Sequence, residues 1–100
     1  MAASLDIGTK VKQPAESRLY AIDFVNLLAT DDTLSSVSSV LANDESAETG
    51  ITVGTGAISG TEVQFRLSGG TNGTTYKIEC IAVTSGGDTL EGDGYIAVVD

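Results

Sequence analysis

The amino-acid sequence predicts an all-β domain in which two antiparallel sheets pack face to face. Apolar residues recur at every second position in several segments, for example at Tyr20, Ile22 and Phe24, which is the period of a half-buried strand. Glycine-rich turns separate these segments roughly every 8 to 12 residues, and no segment combines a 3.6-residue apolar period with helix caps. A length of 100 residues allows one hydrophobic core and leaves no room for a second domain.

Seven strands follow from this pattern, and they suit a single immunoglobulin-like or fibronectin type III-like sandwich. A small barrel is the main alternative. Residues 1–9 are predicted to form an extended N-terminal arm, and residues 10–100 a single β-sandwich domain. The predicted strands lie at residues 9–12, 18–25, 33–42, 50–54, 61–68, 74–84 and 89–99.

The N-terminal arm carries Leu5 and Ile7, two apolar residues separated by one acidic residue. An extended segment with this alternation can pair with a sheet edge, either in its own domain or in a neighbouring molecule. Leu5 and Ile7 are therefore candidate interface residues.

The central part of the chain supplies four of the predicted strands. Residues 18–25 and 61–68 alternate between apolar and polar, which is typical of strands with one buried face. Residues 33–42 and 50–54 are rich in β-branched side chains. Glycines 50, 54, 56, 60, 69 and 70 punctuate this region and indicate turns or bulges.

The last two strands form a hairpin around the turn at residues 85–88. Tyr76 opens the first of them, and a tyrosine near the start of the penultimate strand of such sandwiches turns inward while its hydroxyl bonds upstream backbone. Tyr76 is therefore expected to be structural. If it points inward, Ile81 and Val83 point outward, where either loops or the arm cover them or another chain contacts them.

The charge distribution limits the possible partners. The net charge is −9, and no lysine or arginine occurs from Tyr20 to Phe65. We therefore expect no nucleic-acid binding, because that relies on cationic side chains that neutralise phosphates. The acidity serves solubility or steers the protein toward a basic partner.

The sequence also indicates where the protein is made. No apolar run approaches the roughly 18 residues of a membrane span, and the N-terminal residues lack the pattern of a signal peptide. The single cysteine, Cys80, cannot form an internal disulfide, which fits a reducing compartment. We expect no membrane association and synthesis in a cytoplasm.

Residue types argue against an enzyme. The chain has no histidine, so serine–histidine and cysteine–histidine nucleophile pairs cannot form. Cys80 lies in mid-strand on the inward face and is expected to be a core residue. Residues 54–60, GTGAISG, do not lead from a strand into a helix and so do not resemble a phosphate-binding loop. We expect no catalytic residue and no cofactor.

Loop carboxylates leave a weaker alternative. Asp31 and Asp32, or the group at positions 88, 91 and 93, offer the oxygen ligands that calcium prefers, without the spacing of an EF-hand. A carboxylate pair for glycoside hydrolysis is also conceivable, but five aromatic residues without tryptophan form a poor sugar platform. Solvated loop charges are the preferred interpretation, and no metal is expected.

Two longer segments resemble a known group of proteins. KQPAESRLYAIDFVNLLATDDTLSS, from residue 12, and LSGGTNGTTYKIECIAVTSGGD, from residue 67, are similar to small immunoglobulin-like structural or accessory proteins of tailed bacteriophages, of the fiber–tail adaptor or head- and neck-associated type. The resemblance covers roughly residues 10–100. One departure is the strand SSVSSVLAN, which lacks the tryptophan often found there in such proteins.

The resemblance implies a non-enzymatic virion structural protein, made in the host cytoplasm and present in several copies in a symmetric assembly. An adaptor in the neck or tail, joining a fiber or a ring to the particle, is the favoured function. A capsid decoration protein is one alternative, and a carbohydrate- or surface-binding module of a larger secreted protein is another. The implied partners are neck, tail, fiber or capsid subunits.

Overall fold

A computed structural model describes residues 3–5, 9–44 and 50–100 of the chain. At residues 3, 43 and 44 it describes the backbone only. Within these ranges the chain forms nine strands and no helix, so the part described contains no helix able to cross a membrane. The strands are β1 Ala3–Ser4, β2 Lys10–Lys12, β3 Ser17–Asp23, β4 Leu34–Asp44, β5 Ile51–Val53, β6 Ala57–Ser59, β7 Glu62–Gly69, β8 Thr74–Thr84 and β9 Thr89–Val98.

The strands form two sheets. In the first sheet the order is β1-β3-β7-β5, with β6 also paired to β7, and in the second it is β2-β9-β8-β4. The β1–β3 and β2–β9 pairs are parallel, and all other pairs are antiparallel. The predicted all-β, two-sheet architecture is confirmed.

The structure differs from the prediction in strand number and in strand direction. Two short strands add to the expected seven: β1 in the arm, and β6, whose residues 57–59 lie among glycines that indicated only turns. Strands of two or three residues are too short to display an alternating pattern, which is why the sequence did not reveal them. The two parallel pairs join β1 to β3 and β2 to β9, and both were absent from the prediction of antiparallel sheets.

The hydrophobic core lies between the two sheets. In the first sheet Tyr20 is opposite Phe65 and Ile22 is opposite Val63, so these side chains share the inner face. Each large apolar side chain that is fully buried in this way contributes roughly 1.5–3 kcal/mol. The buried apolar cluster comprises Leu5, Tyr20, Ile22, Phe24, Leu34, Val63, Phe65, Leu67, Tyr76, Ile78, Cys80, Ala82, Ile96 and Val98.

Strand β9 contributes two glycines to this inner face instead of large side chains. A Cβ atom at Gly92 would lie 2.7 Å from Cγ2 of Ile22, and one at Gly94 would lie 2.5 Å from Cβ of Leu5. Both distances are too short for a real contact. The glycines therefore provide the space into which large side chains from the other side of the sandwich fit.

The described part of the arm packs on its own domain. Strand β1 pairs with Tyr20 and Ala21 of β3, and the Leu5 amide donates to the Ala21 carbonyl at 2.8 Å. The Leu5 side chain is 2% exposed. Ile7 lies outside the described residues.

Candidate interaction surfaces

The second sheet presents one broad outer face, which is fixed by the β4, β8 and β9 registers. In β8, Tyr76, Ile78, Cys80 and Ala82 point inward, so the intervening residues point outward. Cross-strand partners share a face, which assigns the rest of the surface. The outer face comprises Val11, Ser36, Ser39, Leu41, Lys77, Glu79, Ile81, Val83, Thr89, Glu91, Asp93, Tyr95 and Ala97.

Ile81 and Val83 lie near the middle of this face. Ile81 is flanked by Ser39 and Glu91, and Val83 lies on the same face two residues further along β8. Both side chains are half-buried. The described arm residues do not cover them, because β1 joins the edge of the other sheet and Leu5 lies in the core.

Three exposed apolar side chains extend the same face. Val11 is 61% exposed, Leu41 is 54% exposed and Tyr95 is 45% exposed. None of these three residues was predicted from the sequence as part of a contact surface. The sequence did not predict that Tyr95 points outward, because two inward positions of β9 are Gly92 and Gly94 and the apolar alternation is therefore missing there.

The charged groups on the outer face are mainly acidic. Lys77 Nζ lies 3.6 Å from Glu79 Oε1 and 3.7 Å from Asp93 Oδ2. The neighbouring Asp93 carboxylate raises the pKa of Lys77, and a hydrogen bond and charge from Asp93 raise the pKa of Glu91. Exposed ion pairs of this kind add little stability, but three carboxylates around one lysine leave the face negatively charged.

A groove adjoins this face at the β4 edge. It has a volume of about 290 Å³ and lies between β4 and the segment that joins β5 to β6. Val37, Val40 and Val53 on its walls are partly buried and pack against the core. The residues that line the groove are Val37, Ser38, Ser39, Val40, Val53, Gly54, Thr55 and Gly56.

At the end of the sandwich where β9 finishes, buried polar groups are used for structure. Tyr76 is 0% exposed, and its hydroxyl accepts a hydrogen bond from the Thr71 amide at 2.9 Å, the arrangement expected of a corner tyrosine. Lys12, which the sequence gave no reason to bury, is 1% exposed. Its ammonium donates to the carbonyls of Gln13 and Gly69, and burial lowers its pKa while the nearby Glu16 raises it.

At the opposite end, Asp32 ties two loops together. Its Oδ1 accepts hydrogen bonds from the amides of Thr33 at 2.9 Å and Gly86 at 3.0 Å. A hydrogen bond from the Thr84 side chain and these two amides lower the pKa of Asp32. Among the described residues, no group of three or more acidic or cysteine side chains is arranged to hold a metal ion. Asp32, one of the carboxylates considered for calcium, acts here as a hydrogen-bond acceptor between loops.

Cys80 is enclosed by the core. Its side chain is 0% exposed, and burial raises the pKa of the thiol to about 11. A nucleophilic cysteine needs a lowered pKa and solvent access. The environment of Cys80 is therefore that of a packing residue.

Comparison with known proteins places the chain in a family. No curated protein matches it. The model of one family, described as podophage GP4 fiber-tail adaptor protein gp77, matches residues 12–97. This range contains all the described strands except β1, the first two residues of β2 and the last residue of β9. The resemblance to phage adaptor proteins is thereby confirmed, and the chain belongs to the gp77 family of podophage fiber-tail adaptor proteins.

Proposed function

We propose that the protein is a non-enzymatic subunit of a phage virion that joins a fiber or a ring to the neck or tail. The match to a fiber-tail adaptor family over residues 12–97 carries this proposal. The location in the virion and the partnership with tail and fiber proteins come from the same match. A rigid sandwich with a continuous core suits a spacer that holds two larger structures at a fixed distance.

The sandwich is of the immunoglobulin type in this proposal. Two observations support the immunoglobulin type. Strands β3, β7 and β5 lie in one sheet and β9, β8 and β4 in the other, and the Tyr76 hydroxyl accepts a hydrogen bond from upstream backbone. Loops at both ends and two outer faces then remain available for contacts.

The outer face of the second sheet is the proposed contact with a neighbouring virion protein. Ile81 and Val83 are its centre, and Val11, Leu41 and Tyr95 widen its apolar area. Interfaces are enriched in aromatic residues at their core and depleted of charge there. The carboxylates of this face suit a partner with basic residues, and they disfavour nucleic acid. Several copies in a symmetric assembly would repeat the contact.

The experiment replaces Ile81 and Val83 together with threonine. Threonine keeps strand propensity and lowers the apolar area, so the fold should persist while incorporation into particles falls. The control replaces Val25 and Leu27 with threonine, because these apolar residues are 52% and 51% exposed but lie in the loop after β3. Each variant is supplied in place of the wild-type protein during infection, and purified particles are quantified by mass spectrometry.

The possible outcomes distinguish a wrong adaptor function from a wrong contact face. If the wild-type protein is absent from purified particles, the adaptor function is wrong. If wild type is present and the Ile81 and Val83 variant is incorporated at normal copy number, the adaptor function stands but this face is not the contact.

A further inference from the structure

Strand β4 is the open edge of the second sheet. It runs from Leu34 to Asp44 and, within the described part of the chain, pairs only with β8. An antiparallel edge strand directs the N–H and C=O groups of every second residue away from its sheet. The far side of β4 therefore presents a row of backbone donors and acceptors to which a further strand can bond.

The half of β4 that ends at Asp44 has regular geometry. Irregularities in register fall between Leu34 and Ser36 and between Val37 and Ser39. From Ser39 to Asp44 each residue pairs in turn with one residue of β8, without interruption. This regular half offers the uninterrupted edge that an added strand requires, whereas bulges disfavour pairing in the first half.

The groove provides side-chain sites where the regular half begins, because its β4 wall runs from Val37 to Val40 and includes the second irregularity. Val37 and Val40 form one wall, and a Cβ atom at Gly56 would lie 3.0 Å from a methyl carbon of each, so the backbone of the opposite wall lies close against them. Leu41 stands on the outer face of the sheet and is 54% exposed. An added strand would place alternate side chains over the groove and the others beside Leu41. A volume of about 290 Å³ accommodates a few side chains and is small for a ligand site.

The charge of the chain, and of the sequence around β4, indicates the chemistry of the added strand. Edges are commonly protected by lysine or proline, but residues 21–65 contain no lysine, arginine or proline. They contain seven carboxylates, Asp23, Asp31, Asp32, Asp44, Glu45, Glu48 and Glu62. A second copy of the chain, with its net charge of −9, would add like charge at this edge. A cationic strand would be attracted.

We propose that the β4 edge and its groove bind an extended segment of another virion protein, apolar at alternate positions and flanked by lysine or arginine. The segment would add a strand to the second sheet, with backbone hydrogen bonds supplying affinity and the groove supplying selectivity. The statement that the segment belongs to a virion protein rests on the proposed adaptor function. The binding chemistry does not.

The first test uses the purified protein and the synthetic peptide Lys-Lys-Val-Thr-Val-Thr-Val-Thr-Val-Lys-Lys. The peptide should slow amide hydrogen exchange in residues 39–44 of β4, and it should bind more weakly as salt rises. The same peptide with glutamate in place of every lysine should bind at least about tenfold more weakly. Unchanged exchange in β4 at saturating peptide, or equal binding of both peptides, would refute the proposal.

Two matched variants locate the binding site. Ser38→Lys places a long cation on an exposed residue of the groove, and Ser35→Lys makes the same change on an exposed β4 residue outside it. Ser38→Lys should weaken peptide binding about tenfold or more and Ser35→Lys about twofold or less. Equal weakening would mean that charge alone, not the groove, governs binding. Protection of β4 that grows with protein concentration in the absence of peptide would identify a second copy as the occupant and overturn the proposal.

Particle assembly tests whether the edge is used in the virion. Ser38→Lys should be depleted from purified particles, and Ser35→Lys should be incorporated like wild type. Normal incorporation of Ser38→Lys shows that the virion does not use this edge. Absence of the wild-type protein from particles contradicts the adaptor function instead, and the peptide measurements then decide the edge proposal alone.

Discussion

Two charged residues at the ends of the sandwich, Lys12 and Asp32, have structural roles and do not form a binding site. The Lys12 ammonium donates hydrogen bonds to two backbone carbonyls. The Asp32 carboxylate accepts a hydrogen bond from the Gly86 amide and so connects two loops. Buried or partly buried polar groups need such partners because an unpaired one costs about 1–3 kcal/mol. Polar residues at these positions therefore preserve the fold, and the contacts with other proteins are expected on the sheet face and edge.

Tyr76 combines packing with one hydrogen bond, and the two contributions can be separated. Tyr76→Phe keeps the ring and leaves the Thr71 amide without its partner, which should cost about 1 kcal/mol of unfolding free energy. Tyr76→Ala also creates a cavity and should cost about 3–5 kcal/mol. Urea unfolding measures both, with Tyr95→Phe on the exposed face as the control that should change little. Equal losses for Phe and Ala at position 76 would contradict a packing role of the ring.

Asp32 should make stability depend on pH in the acid range. Its pKa is lowered in the folded state from an ordinary value of 3.8, so the folded protein favours the charged form. The resulting stabilisation is present above about pH 4 and is lost as pH falls below 3.8 toward the lowered folded pKa. Asp32→Asn removes the charge and should reduce stability at pH 7.

The measurement compares urea unfolding of wild type and Asp32→Asn from pH 7 down to the acid range. The difference between them should shrink below pH 3.8, because the wild-type carboxyl then becomes protonated. Asp31→Asn is the control, since the Asp31 side chain has no hydrogen bond within the described residues. A difference that stays constant with pH would show that the Asp32 charge does not stabilise the loops.

At the scale of elements, the arm and β9 are fitted to each other. Leu5 occupies the space that Gly94 leaves, and burying such a side chain stabilises the fold by roughly 1.5–3 kcal/mol. Gly94→Ala should force Leu5 out or strain the core, at a cost of about 1–3 kcal/mol. In a protein that lacks residues 1–8, the same change should cost much less, because the three atoms nearest to the added Cβ all belong to Leu5 and are then absent.

Gly92→Ala is the control for this comparison. A Cβ atom there meets Ile22 and Phe24, which belong to β3 and the loop after it and not to the arm. Its cost, measured by thermal or urea unfolding, should be the same with and without residues 1–8. A Gly94→Ala cost that is also independent of the arm would mean that Leu5 does not dock as the structure describes.

Clear alternation was sufficient to locate β8, and to locate β3 and β7 to within two residues at each end. Strand β8 coincides with residues 74–84, and Tyr76, Ile78 and Cys80 point inward as their parity indicated. Local pattern could not reveal β1 or β6, because two or three residues carry no period. The groove depends on how β4 approaches residues 53–56, a long-range arrangement that no local pattern encodes.

The candidate site was predictable only in part, for similar reasons. The outward direction of Ile81 and Val83 was predictable because their own strand alternates clearly. Val11 and Leu41 required the pairing of β2 and β4 with their neighbours, which the sequence does not specify. The burial of Lys12 depends on a hydrogen bond to the Gly69 carbonyl, which is 57 residues away in the chain.

At the scale of the whole molecule, electrostatic repulsion and the apolar outer face act in opposite directions. Fourteen acidic and five basic residues give a net charge of −9 and a pI near 4.1, so copies repel one another at neutral pH. The outer face offers an apolar surface that favours association. Salt changes the balance, because the screening length falls from about 10 Å at 0.1 M to about 3 Å at 1 M.

The isolated protein should therefore be a monomer at pH 7 and low salt and should associate weakly as salt rises. Replacing Ile81 and Val83 together with threonine should reduce the salt-induced association, since it removes apolar area from the face and leaves the charge unchanged. Replacing Val25 and Leu27 with threonine should not reduce it. Sedimentation velocity over a range of salt and protein concentrations measures all three proteins. A stable oligomer of the wild type at low salt, or salt-induced association that both variants retain equally, would show that repulsion and the outer face do not set the assembly state.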